Sequence, residues 1–174
     1  MTPTTLPSLP QAPTTLLGRA FALWDWLVRG LEALQPLAAL LARLYVAQAF
    51  FLSGLTKLRD WDTTLALFAD EYHVPLLSPP VAAVMGTAGE LGLPVLLVLG
   101  LAGRFAALGL SVVNLVAVAS LMEIAPAALQ QHVTWGVLLA TLALYGCGPW
   151  SLGPWARRWL ERGFAVKQGS SPRQ

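Results

Sequence analysis

Two ionisable residues stand where charge is costly. Arg43 and Glu90 each lie inside a long apolar run. An unpaired charge at the centre of a membrane-crossing helix costs roughly 2.5 kcal/mol or more. One account is that Arg43 pairs with Glu90 across a helical bundle. A second is that Arg43 snorkels and Glu90 is held protonated. A third is chemical: burial raises the pKa of a carboxyl, so Glu90 titrates near neutrality as a proton relay or a quinone-site group. Asn114 and Gln48 are amides within apolar runs, where such groups bond across helices. Ser53, Thr56 and Lys57 close the first run, and Lys57 is long enough to snorkel outward.

A second group gathers between the apolar runs: His73, His132, Glu71, Asp70 and Glu123. Imidazoles with carboxylates can hold a divalent metal. No HxxxH or ExxH spacing is present, so a site of His73, His132 and Glu71 requires tertiary contacts. A neutral His132 could equally cap a helix or bond a backbone group. Cys147 is the single cysteine, which excludes an internal disulfide or a CxxC redox pair. No dinucleotide fingerprint, phosphate-binding loop, GxSxG elbow or haem-attachment motif occurs. The balance of the sequence therefore leans away from a self-sufficient enzyme.

The elements that position these residues follow from composition. The 174 residues are 56% hydrophobic and 11% charged, against about 25% charged in a soluble domain. Four apolar segments are long enough to cross a bilayer as helices. They run from about Pro36 to Leu58, Pro79 to Leu101, Arg104 to Met122 and His132 to Trp150. The fold expected is all-α: a four-helix transmembrane bundle over 36–152. Residues 16–35 read as an interfacial amphipathic helix, with Asp25, Arg29 and Glu32 on one face and Leu17, Phe21, Trp24 and Leu31 on the other. Asp25 and Arg29 are spaced for an i,i+4 pair. Thr63 to Tyr72 suggests a short surface helix. Residues 1–15 and Lys167 to Gln174 read as disordered, within a basic tail over 153–174.

Charge placement suggests an orientation. Arg19, Arg29, Arg104, Arg157, Arg158, Arg162 and Lys167 fall on one side of a four-crossing bundle. The other side has Lys57 and Arg59, but also Asp60, Asp62, Asp70, Glu71 and Glu123. Both termini are expected in the cytoplasm, with Trp61 and Trp135 near the outer boundary. A net charge of only +2 gives no reason to expect nucleic acid. The lipid bilayer is the expected partner.

Several pieces resemble the DoxX family of membrane proteins. They are Phe50-Phe51-Leu52-Ser53-Gly54-Leu55-Thr56-Lys57, then Glu90 followed by Leu99-Gly100-Leu101 and Arg104, then Gly148-Pro149-Trp150-Ser151-Leu152. The resemblance covers roughly Leu37 to Leu152. A further set resembles a subgroup found beside bufferin-type metal-binding peptides: Asp60-Trp61, Phe68, Glu71-Tyr72-His73-Val74-Pro75-Leu76-Leu77, Glu90-Leu91, and His132 with Trp135. Gly153 departs from the family, where Asp commonly follows Ser-Leu.

The resemblance implies a bacterial inner-membrane accessory protein in copper or redox-stress homeostasis, with a periplasm-facing His/carboxylate site. The alternatives are a quinone-interacting subunit of a membrane redox complex and a non-catalytic scaffold. The implied ligands are copper or quinone. The implied partners are a metal-peptide system, a redox complex or a second copy of the chain. The positions carried over are Lys57, Glu71, Tyr72, His73, Glu90, Arg104, His132 and Trp135.

Overall fold

A computed structural model describes residues 15–121, 123–159 and 161. The tails at 1–14 and from Lys167 onward lie outside those residues, as do Arg162 and Met122. The chain forms α1 (Leu16–Arg59), α2 (Trp61–Asp70), α3 (Pro79–Leu99), α4 (Gly103–Ser120) and α5 (Pro126–Tyr145). Residues 153–159 are also helical, and no strand occurs among the described residues. Helices α1, α3, α4 and α5 are each long and apolar enough to span a bilayer. The protein is a multi-pass membrane protein built on a four-helix bundle.

Several boundaries differ from those the sequence suggests. The helix expected to start afresh at Pro36 instead runs through it, from Leu16 to Arg59. Proline removes one backbone donor, a loss that membrane helices tolerate when neighbouring groups compensate. The chain nonetheless divides into two compact units at Gln35 and Pro36. In the first unit, residues 16–35 expose Leu17, Phe21, Trp24, Trp26 and Leu31. The proposed pair Asp25–Arg29 is not made. The ion pairs among the described residues are Lys57–Glu90 and Arg157–Glu161.

Helix α5 begins at Pro126, well before His132, and stops at Tyr145 rather than Trp150. Pro126 occupies the first turn, where a missing N–H costs nothing. Helix α3 stops at Leu99 because Gly100 takes a left-handed φ of 66° and returns its N–H to the Leu96 and Leu97 carbonyls. The short helix α2 sits two residues earlier than expected. Asp60 caps it, accepting from the Thr63 backbone N–H at 3.0 Å and the Thr63 hydroxyl at 2.7 Å.

The second unit has a continuous apolar core. Val46 and Phe50 of α1 meet Leu97 of α3, Ala106, Ala107 and Leu110 of α4, and Leu139 and Leu142 of α5. A smaller cluster packs Phe68 of α2 on Ala82 and Ala83 of α3. Gly54 lets α1 approach α3 closely: a Cβ there would lie 2.8 Å from Leu91 Cγ and 3.1 Å from Glu90 Cβ. That contact sets the register of the two antiparallel helices and brings the end of α1 beside Glu90.

Candidate functional site

Lys57, one residue short of the last position but one in α1, turns inward rather than snorkelling out. Its Nζ donates to Glu90 Oε1 at 2.8 Å, Glu90 Oε2 at 2.6 Å and Ser53 Oγ at 3.0 Å. The two side chains retain only 14% and 10% of their exposure. The spacing of Ser53 and Lys57, one helical turn apart, puts both on the face that meets Glu90. Glu90 therefore has a cation partner, but it is Lys57 and not Arg43.

Arg43 is fully buried without a carboxylate. Its Nη2 donates to the Trp150 carbonyl at 2.7 Å, Nη1 to Val98 at 3.3 Å and Nε to Ala39 at 3.4 Å. Val98 belongs to the last turn of α3, where carbonyls lack intrahelical partners and the helix dipole is negative. Arg43 thus supplies a cation to a helix C-terminus and ties the segment after α5 to it. Leu152 N–H also donates to the Leu99 carbonyl at 2.9 Å. A Cβ at Gly153 would stand 2.8 Å from the Gly100 carbonyl oxygen, so the close approach of this segment favours glycine there.

Above the ion pair, on the α2 side, lies a cavity of about 420 Å³. Lys57 and Glu90 form its polar floor, and Ser120 and Tyr72 add hydroxyl groups. The remaining wall is apolar, from Phe68, Val74, Met85, Val112, Val116 and neighbours. Phe68 stacks on Tyr72 with ring centroids 5.0 Å apart. Tyr72 is held by an antiparallel bridge to Leu121, and His73 N–H donates to the Ser120 carbonyl at 2.9 Å. Burial raises the Tyr72 phenol above its ordinary 10.0, and the charges of Glu90 and Glu71 push it further the same way. The phenol thus keeps its proton and remains a potential donor.

His132 and Asn114 form a separate polar contact between α5 and α4. Asn114 Nδ2 donates to the His132 carbonyl at 2.9 Å, and Asn114 Oδ1 lies 2.7 Å from His132 Nδ1. Since the carbonyl can only accept, the amide orientation is fixed, and Nδ1 must carry the ring proton. In the neutral ring, Nε2 keeps the lone pair. Trp135 packs edge-on against His132, with centroids 5.0 Å apart, and against Phe50 at 5.5 Å. It is partly buried, and its Nε1 is buried without a hydrogen-bond partner. Arg104 reaches the Leu144 carbonyl at 3.4 Å.

The structure does not gather His73, His132 and Glu71 into a ligand set. No group of three or more His, Cys, Asp or Glu side chains able to hold a metal ion exists among the described residues. His73 and Glu71 are exposed, while His132 is engaged with Asn114. These donors do not fit a copper centre within one chain.

The family model for DoxX matches residues 38–123. That segment is a DoxX domain. It contains every residue that lines the cavity, from Lys57 to Ser120, together with Arg43. His132 and Trp135 lie beyond it. The match names the family and no subgroup within it. No curated protein and no solved structure matches the chain.

Proposed function

We propose that this DoxX protein binds the head group of a lipid-soluble quinone or quinol, as the quinone-interacting subunit of a membrane redox complex. The observation that carries this reading is a nearly buried Lys57–Glu90 pair at the floor of an apolar cavity. Ligand sites are typically apolar clefts of roughly 300–1,000 Å³ with a few convergent polar groups. A ring with two opposed oxygens matches the donors and acceptors present. All three Lys57 protons are engaged, but the Glu90 carboxylate retains lone pairs able to accept from a quinol hydroxyl. The Tyr72 phenol supplies a donor for the opposite oxygen type. The sequence carries no haem-attachment or dinucleotide motif, so in this reading electron transfer falls to a partner.

A role in copper or redox-stress homeostasis, suggested by the sequence resemblance, draws no support from a ligand cluster. The quinone reading is tested by titrating purified protein in lipid nanodiscs with a short-chain ubiquinone analogue, followed by Trp fluorescence quenching. Glu90→Gln is expected to weaken binding at least tenfold. Equal affinity in wild type and Glu90→Gln would remove this site from consideration.

A further inference from the structure

Part of the cavity's lining belongs to exposed side chains on helices long and apolar enough to span the membrane. Helices α3 and α4 approach closely at Leu93 on Gly109, toward their shared turn, and at Val113 on Gly89, at mid-helix. Of the cavity-lining residues on these two helices, Met85 is 58% exposed, Val112 61% and Val116 36%, whereas Ala82, Glu90 and Ser120 are buried. The three exposed residues lie on spanning helices. Met85 is six residues from the start of α3, and Val116 and Val112 are four and eight residues from the end of α4. At 1.5 Å rise per residue, they stand about 6–12 Å inside the helix ends, at the depth of acyl chains. The opposite side is roofed by α2 and by the segment from Tyr72 to Leu77, pinned through Tyr72–Leu121 and His73–Ser120.

We infer that the cavity opens sideways into the bilayer between α3 and α4, and that its ligand keeps a hydrocarbon tail in that opening, against Met85, Val112 and Val116. This rests on the quinone reading of the cavity and extends it to the tail. A cavity of about 420 Å³ takes a substituted ring but not a long isoprenoid chain as well. The chain must leave, and the exposed rim of Met85, Val112 and Val116 offers it an apolar route at acyl depth. Leaving through the roof would expose it to water at about 25 cal/mol per Å² of apolar surface. Met85 suits such a role, since its unbranched thioether adapts to a flexible chain. The three rim residues then set tail preference, while Lys57, Glu90 and Tyr72 set head preference.

The test compares a decyl-tailed quinone with the same quinone lacking a tail, on protein in nanodiscs, with affinities expressed per volume of lipid. Met85→Trp and Val112→Trp each fill the mouth from one helix, and thermal unfolding confirms that each variant is folded. Wild type is expected to prefer the tailed ligand. Each Trp variant is expected to lose at least tenfold affinity for it, with less than twofold change for the tail-less one. Unchanged tailed binding in both variants, equal loss for both ligands, or no tail preference in wild type would each overturn the inference. Glu90→Gln separates the two claims, since it weakens both ligands if the head site is right, whatever the mouth does. Decanoic acid forms a third arm. Competition by it at matched concentration, sensitive to Val112→Trp, would keep the mouth but replace the quinone with an acyl ligand.

Discussion

At the scale of single residues, the Lys57–Glu90 pair is the most consequential contact. Removing one partner of a mostly buried pair leaves the other without compensation and costs roughly 3 kcal/mol. Lys57→Met and Glu90→Gln are each expected to lower stability by about that amount. The double variant should lose clearly less than the sum, as residues in direct contact couple. Thermal unfolding in detergent across the cycle measures this, and additive losses would mean that the contact contributes nothing. Tyr72 gives a pH signature. Its folded pKa lies above its ordinary 10.0, so its stabilising contribution is complete below about pH 10 and is lost as pH rises through the raised folded value. Tyr72→Phe, which keeps the stack on Phe68, should therefore blunt the alkaline loss of stability in an unfolding series above pH 9. A variant curve parallel to wild type would contradict this.

At the scale of elements, hydropathy and the need to satisfy backbone groups in lipid make the four crossings legible. The register between crossings is not legible, and that decided the partner of Glu90. Reading charge type alone pairs Arg43 with Glu90, the conspicuous buried ions of two neighbouring segments. The Gly54 contact with Leu91 instead sets Lys57 opposite Glu90, and about three turns earlier sets Arg43 opposite Val98. A close approach between helices depends on a glycine meeting a particular side chain, which hydropathy does not encode. The backbone carbonyls that hold Arg43 are equally silent in a sequence, because every residue has one. The cavity is likewise hidden, although Lys57 and Glu90 stand out by type and Tyr72 through the family resemblance. Arg43→Lys should lose the fork that reaches Val98 and Trp150 together. Leaving a buried carbonyl unpaired costs about 2 kcal/mol. The expected result is a lower unfolding temperature with quinone-analogue affinity unchanged, because Arg43 sits at the end of α3 away from the cavity.

At the scale of the whole molecule, the connectivity places two unlike ends on the bundle. Asp60, Asp62, Asp70 and Glu71 cluster where α1, α2 and α3 meet, and Arg104, Arg157 and Arg158 follow the opposite ends of α3 and α5. The positive-inside tendency then predicts that the α2 end faces away from the cytoplasm. An alkaline phosphatase insertion between α2 and α3 should be active and a C-terminal fusion inactive. The reverse pattern would invert the proposed orientation and place Tyr72 on the cytoplasmic side.

Cys147 offers a practical route to the same map. It is the chain's single cysteine, its side chain is buried, and its Sγ occupies the space that a Cβ on Gly103 would need. Burial also raises its thiol pKa, against the opposing pull of Arg43 and Arg104, which reduces the reactive thiolate. Toward water-soluble maleimides the natural protein should therefore be silent. Single cysteines can be introduced at the loops without first altering the native sequence, so that each label reports one side of the membrane in the unmodified fold.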